Sequence, residues 1–164
     1  VNHQLNSDLG FRESIMYFNE DNIAVGSGPL PLVVGEMTNF KVYWQLSNTR
    51  HDLRDLTVVA DLPDYVSWGG KNYTAEGDIS YDQDKHQVVW RLDKLSANVD
   101  DLVGEFNIGV NPRADQKERI IILTSGSTVE ATDNATGSLL EVSSKAKTSQ
   151  LEDDKIVETD GMVR

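Results

Sequence analysis

The sequence predicts an all-β fold built as an antiparallel β-sandwich, and three observations carry that prediction. From Asn39 to Asn48 the chain reads NFKVYWQLSN, which puts Phe40, Val42, Trp44 and Leu46 on one face and Lys41, Tyr43, Gln45 and Ser47 on the other. That is the period-two alternation of a half-buried strand. Leu56, Val58, Ala60 and Leu62 repeat the pattern after the polar break from Asn48 to Asp52, and Pro63 ends it by removing the backbone donor a central strand would need. No segment sustains a helical period for more than a turn or two.

The other elements follow in order. Residues 1–10 are polar around isolated apolar side chains and read as a flexible leader. Phe11 to Phe18, rich in aromatic and branched residues, reads as an edge strand, and Ile23 to Val25 as a brief continuation after Asp21-Asn22. Gly26 to Pro31 carries two prolines and has to turn a corner or cross between sheets. Tyr65, Val66 and Trp68 form a short alternation before Gly69-Gly70, and Asp78 to Asp93 reads as a hairpin with a polar tip from Asp82 to Lys85. On its return arm Val88, Trp90 and Leu92 share a face. Phe106, Ile108 and Val110 are in phase ahead of Pro112, and the unbroken apolar run Ile120 to Leu123 predicts a strand covered on both faces. Thr128 to Thr132 and Leu139 to Val142 close the sheet as a final hairpin. Ser143 to Arg164 is rich in Ser, Lys, Glu and Asp with scattered apolar residues, and reads as a polar tail or linker. Its alternative is a strand donated to a neighbour through Lys155-Ile156-Val157. The chain thus divides into a leader (1–10), one sandwich domain (11–142) and a tail (143–164).

Composition narrows the function classes. The 164 residues suffice for one domain with its own core. A net charge of -12 repels a phosphate backbone and an anionic membrane surface, so nucleic acid is not an expected partner. No apolar stretch has the length to cross a bilayer, and the first residues have neither the basic start nor the apolar centre of a signal peptide. The sequence therefore reads as a mature chain or an excised fragment. The absence of cysteine excludes disulfides, thiolate metal sites and a thiol nucleophile, and tilts the expected location toward a cell surface.

Val34-Gly35-Glu36, the strand Phe40 to Leu46, Asn48, the run Leu56 to Pro63 and Val66-Ser67-Trp68 occur in an order that resembles the DUF11-type conserved repeat of bacterial and archaeal surface proteins. Trp90 within Val88 to Leu92 and the segment Phe106 to Pro112 match its later elements, so the resemblance spans roughly residues 32–142. Arg50-His51-Asp52 departs from it, standing where the repeat has a glycine after Asn-Thr. The resemblance implies an immunoglobulin-like sandwich with Greek-key connections, acting as a non-catalytic spacer or adhesion module of an extracellular or cell-surface protein. Its implied partners are neighbouring domains of that protein and, beyond them, cell-wall or host glycans. It transfers no catalytic residue and no cofactor.

Candidate chemistry is sparse. His3, His51 and His86 are scattered over the leader, a turn and a hairpin, without metal-ligand or triad spacing, and read as solvated loop residues. Asp78, Asp82 and Asp84 gather hard oxygen ligands on one hairpin and are candidates for calcium, although the spaced acidic loop with a distal Glu is missing. Trp44 and Trp90 are in phase with aliphatic neighbours and belong to the core, whereas Trp68 at a strand end is the candidate for stacking on a sugar ring. A Lys-Asn crosslink between Lys41 and Asn107 is disfavoured, because both alternate with inward residues and should point outward. Asn72-Tyr73-Thr74 and Asn134-Ala135-Thr136 match the glycosylation triplet, and in a bacterial protein read as ordinary turns.

Overall fold

The computed structural model describes residues 5–164, so His3 and the start of the leader lie outside the described residues. The strands are β1 (Asp8–Met16), β2 (Thr38–Thr49), β3 (Leu53–Asp61), β4 (Val66–Thr74), β5 (Asp78–Asp82), β6 (Gln87–Leu95), β7 (Val99–Val110), β8 (Ile122–Thr124), β9 (Ser127–Asp133), β10 (Leu139–Ser143) and β11 (Lys147–Thr148). They form a four-stranded sheet in the order β1-β2-β7-β4, a five-stranded sheet in the order β10-β9-β3-β6-β5, and a small β11-β8 pair. Every pairing is antiparallel.

The alternation legible in the sequence sets the layers. Phe40, Val42, Trp44 and Leu46 of β2 are fully buried and meet Val58, Ala60, Val88 and Trp90 from the other sheet. The Trp44 and Trp90 rings stack across the interface, 6.4 Å between centroids and 10° from parallel. Phe106 of β7 packs edge-on against Trp44 at 4.7 Å. Offset and edge-to-face aromatic contacts of this kind add to the area that the rings remove from water. One polar group sits inside this layer. The Glu13 carboxylate of β1, 1% exposed, accepts hydrogen bonds from Trp44 Nε1 at 2.8 Å, Thr124 Oγ1 at 2.7 Å and the Ser127 hydroxyl. It thereby ties the first sheet to β8 and β9 of the other side.

Four expectations need correction. The leader does not stay free up to Gly10: Ser7 is buried and β1 already begins at Asp8, ending at Met16 rather than Phe18. Strand pairing decides this, because Asp8 to Gly10 find partners in Thr49 to Ser47. Ile120 to Leu123 is not covered on both faces. Ile121 and Leu123 are buried while Ile120 and Ile122 are each 44% exposed, since among the described residues β8 pairs with the short β11 alone and its outer side is left open. The third correction concerns residues 143–164, which form a strap on their own domain rather than a polar tail or linker. Leu151 and Val163 are buried. Arg164 donates its backbone N–H to Leu32 O at 2.7 Å and accepts from Val34 N at 2.9 Å, while Val163 exchanges backbone bonds with Glu118 and Arg119. Fourth, Lys155-Ile156-Val157 is not a strand. Asp154 organises it instead, one carboxylate oxygen accepting from Tyr17 N and Phe18 N at 2.8 Å and the other from Ile156 N and Val157 N. Lys147 pairs with Asp153 at 2.9 Å and fixes the turn between them.

Candidate functional site

The hairpin acids do not converge. Asp78 and Asp82 stand at opposite ends of β5, roughly 13 Å apart at the rise of an extended strand. Asp82 is occupied with its own turn, accepting from the backbone N–H groups of Asp84 and Lys85 at 3.0 and 3.2 Å. Among the described residues no group of three or more His, Cys, Asp or Glu is placed to hold a metal ion.

Trp68 of β4 is half-buried against the edge of the core. Its ring lies parallel to Tyr81 of β5, 5.9 Å between centroids and 5° apart, and beside Phe106 at 5.7 Å. Behind Tyr81, His86 is held by three bonds: its Nε2 faces Pro63 O at 3.0 Å and Val66 O at 2.8 Å, and its Nδ1 faces the Tyr81 hydroxyl. Two carbonyl oxygens around Nε2 require that nitrogen to donate. His86 is thus a clamp between the β3–β4 corner and the β5–β6 hairpin, not the solvated loop residue expected of it.

At the opposite pole, Ser7, His51 and Asp133 gather the residue types of a hydrolytic triad. Asp133 is fully buried; its Oδ2 accepts from His51 Nδ1 at 3.0 Å and Ser7 N at 2.7 Å, and its Oδ1 from Ala135 N at 2.8 Å and Thr136 N at 3.2 Å. The chemistry of a triad is nonetheless absent. A nucleophilic serine must hydrogen-bond the far nitrogen of the imidazole, whereas the Ser7 hydroxyl faces Asn48 Oδ1 and the carbonyls of Thr49 and His51. Asn48, also buried, spends its amide on the carbonyls of His51, Leu95 and Ser96. The cluster seals the end of the sandwich by satisfying loop backbone that would otherwise be buried unpaired.

Burial disfavours the Asp133 carboxylate, but the bonds from His51, Ser7, Ala135 and Thr136 outweigh it and hold this group well below the usual carboxyl range. A depressed folded-state value means that its stabilisation is complete above the unfolded-state value of about 3.9 and is lost as pH falls from there toward the folded value. Asp133→Asn is therefore expected to lower the melting temperature at neutral pH, with the gap to the parent narrowing below about pH 4. Melting curves of the two proteins that stay parallel from pH 7 to pH 2 would show that Asp133 is not the responsible group.

The outer face of the four-stranded sheet carries Lys41 and Asn107 as direct cross-strand partners, pointing away from the core. The Lys41 ammonium pairs with Glu105 at 3.1 Å. The residues that sequence reasoning missed are Glu13, Asn48, Ser7 and Asp154. For Glu13 a signal existed, since Leu9, Phe11, Glu13 and Ile15 alternate in phase and put the acid on the inward face.

Strand order decides the fold. The sequence β1-β2-β7-β4 reproduces the A-B-E-D sheet of an immunoglobulin constant domain and β10-β9-β3 its G-F-C sheet, with the β5–β6 hairpin inserted between D and E and added beside C. The fold is an immunoglobulin-like sandwich. No family model and no curated protein matches the chain. Solved structures with a similar sandwich include the major pilin subunit BcpA of Bacillus cereus in its D312A form, with TM-score 0.56 and 11% identity over 87% of this chain and 40% of that one. The full-length major pilin SpaD from Corynebacterium diphtheriae is similar at TM-score 0.54 and 8% identity, over 86% of this chain and 35% of that one. The 35 kDa C-terminal fragment of the major pilin GBS80 of Streptococcus agalactiae gives TM-score 0.54 and 8% identity over 86% and 55%. At these identities the likeness is one of fold, and this immunoglobulin-like chain spans only part of the length of each of these proteins. Among the described residues no helix is long and apolar enough to cross a membrane.

Proposed function

We propose that the chain is a non-catalytic spacer or adhesion module of an extracellular, cell-surface protein, and the observation that carries this reading is that Ser7 and Arg164 are fastened at opposite poles of the sandwich. Ser7 is fastened to the β2–β3 turn and to Asp133 at one pole. Arg164 is fastened to Leu32 and Val34 at the other, beyond the start of β2. The twelve residues of β2 run between these poles, roughly 40 Å at the rise of an extended strand. A module threaded in this way adds its whole length to a row of domains, while the closed core keeps that length fixed. The pilin sandwiches of similar fold and the resemblance to the DUF11-type surface repeat support the same reading, as does the highly acidic surface, which keeps neighbouring copies soluble. Neighbouring domains of the same protein are the expected partners. Calcium at Asp78, Asp82 and Asp84, or a sugar on Trp68, remains a rival reading that the geometry favours less, since Asp78 stands a strand's length from Asp82 and one face of Trp68 is stacked against Tyr81.

Small-angle scattering of a genetic fusion of two copies in tandem tests the proposal. The expected result is a rod whose maximum dimension grows by about one long axis, on the order of 40 Å, per copy. A compact two-domain particle would overturn it.

A further inference from the structure

The outer face of the four-stranded sheet has a feature that a spacing role does not use. In register across it run Ser14 of β1, Tyr43 of β2, Glu105 of β7 and Tyr73 of β4. Residues directly opposite on antiparallel strands project to the same side, so two tyrosines stand on one surface with a single strand between them. Their separation is two inter-strand steps, about 10 Å. Tyr73 is 64% exposed, a large aromatic left in water, and Tyr43 is half-buried. Lys41 pairs with Glu105 at 3.1 Å and sets its ammonium 5.9 Å from the Tyr43 ring centre.

Each tyrosine borders a groove. One of about 420 Å³ has Tyr43 in its wall together with Arg12, Gln45 and Asp101. The other, of about 270 Å³, is walled by Tyr73, Lys41, Glu105 and Asn107. Among the described residues Arg12 has no carboxylate partner and Gln45 no side-chain hydrogen bond, so their donors and acceptors are free.

We propose that this face binds an extended, uncharged oligosaccharide laid across the strands, with Tyr43 and Tyr73 each covering the apolar face of a sugar ring and the amide, carboxylate and guanidinium groups in the grooves bonding its hydroxyls. The chemistry selects this class of ligand. Rings on a flat face suit a chain whose units each present one apolar side and a rim of hydroxyls, and a spacing of about 10 Å matches a disaccharide step in an extended glycan. Single-stranded nucleic acid also stacks on aromatic platforms, but a net charge of -12 and the acids Glu105 and Asp101 beside the rings repel its phosphates. A protein partner would want an apolar centre, whereas the position between the tyrosines is filled by Glu105, which is paired with Lys41. The site is distinct from Trp68, which faces the core, and the inference stands whether or not the chain acts as a spacer.

The test is titration of isotopically labelled protein with cellohexaose, chitohexaose and laminarihexaose at up to millimolar concentration, followed by amide NMR. The expected result with at least one of them is shift changes centred on Ser14, Tyr43, Glu105 and Tyr73, with affinity falling about tenfold in Tyr73→Ala while the melting temperature is unchanged. Tyr43→Leu, which keeps the buried part of that side chain filled, should weaken binding likewise, and Trp68→Phe should leave it intact. No shift with any of the three sugars, shifts centred on Trp68 and Tyr81, or an affinity indifferent to Tyr73→Ala would each overturn the proposal.

Discussion

Truncation after Ser144 is expected to destabilise the domain by at least about 3 kcal/mol, because it strips two fully buried apolar side chains, Leu151 and Val163, from the end of the core. For a domain of this size that corresponds to a fall in melting temperature on the order of 10 °C. The loss has two further sources. Removing Asp154 leaves the N–H groups of Tyr17 and Phe18 without their acceptor just beyond the end of β1, and removing Val163 and Arg164 frees backbone groups of Leu32, Val34, Glu118 and Arg119. The ordering entropy of the strap opposes these gains, which is why the expected figure is well short of the sum of its contacts. Thermal melting of the full and shortened chains decides the matter, with amide exchange as a second readout. Unchanged melting together with unprotected amides at Val163 and Arg164 in the full chain would show that the strap is not docked.

Trp44→Ala is expected to cost about 3 to 5 kcal/mol, the range for emptying a large aromatic site in a packed interior. Trp44 touches Trp90 from the opposite sheet, Phe106 from its own and Phe11 from β1, so its removal opens a void where both sheets meet. It also takes one of three donors from the Glu13 carboxyl group, leaving Thr124 and Ser127 to satisfy a buried polar group. Trp90→Ala should fall in the same range but without that second penalty, since the Trp90 indole N–H donates to the Glu76 carbonyl at 3.0 Å near the surface. Urea denaturation of both variants measures the difference. A Trp44→Ala midpoint equal to that of the parent would mean that the inward face of β2 has been misassigned.

What the sequence made legible is what depends on near neighbours. Phe40 to Leu46 and Leu56 to Leu62 declare their inward faces by alternation alone, and the β5–β6 hairpin is announced by a polar tip between two apolar arms. The strap is different in kind. Leu151 and Val163 look isolated because the slot that receives Val163 and Arg164 is built from residues 32–34 and 118–119, which are remote from them and from each other along the chain. Ile120 to Leu123 misleads for the converse reason: four apolar residues in a row look the same whether one face or two are covered, and only the position of β8 at the margin of the sandwich separates the cases. In the polar clusters, Asp133 and the residues after it could be read as a turn with a capping acid, but that Ser7 and His51 would close on the same carboxylate depends on which loops the fold brings to one pole. Similarly, the Tyr43–Tyr73 pair emerges only from register, since thirty residues of sequence hide the fact that both strands flank β7.

The pairing of β1 with β2 has a mechanical consequence. A pull on the chain ahead of Ser7, resisted at Arg164, acts along the axis of β1, because that strand starts at the pole where the chain enters and runs toward the other. The nine residues of β1 are all in register with β2, from Asp8 opposite Thr49 to Met16 opposite Lys41. Under such a load the rungs are sheared together instead of being peeled open one after another, and the buried Glu13 adds a side-chain bond from Trp44 across the same pair of strands while also tying β1 to β8 and β9. Stretching single molecules by their ends should accordingly show one tall rupture event rather than a staircase of small ones. A domain braced in this way is a stiff link when tension arrives from its two ends.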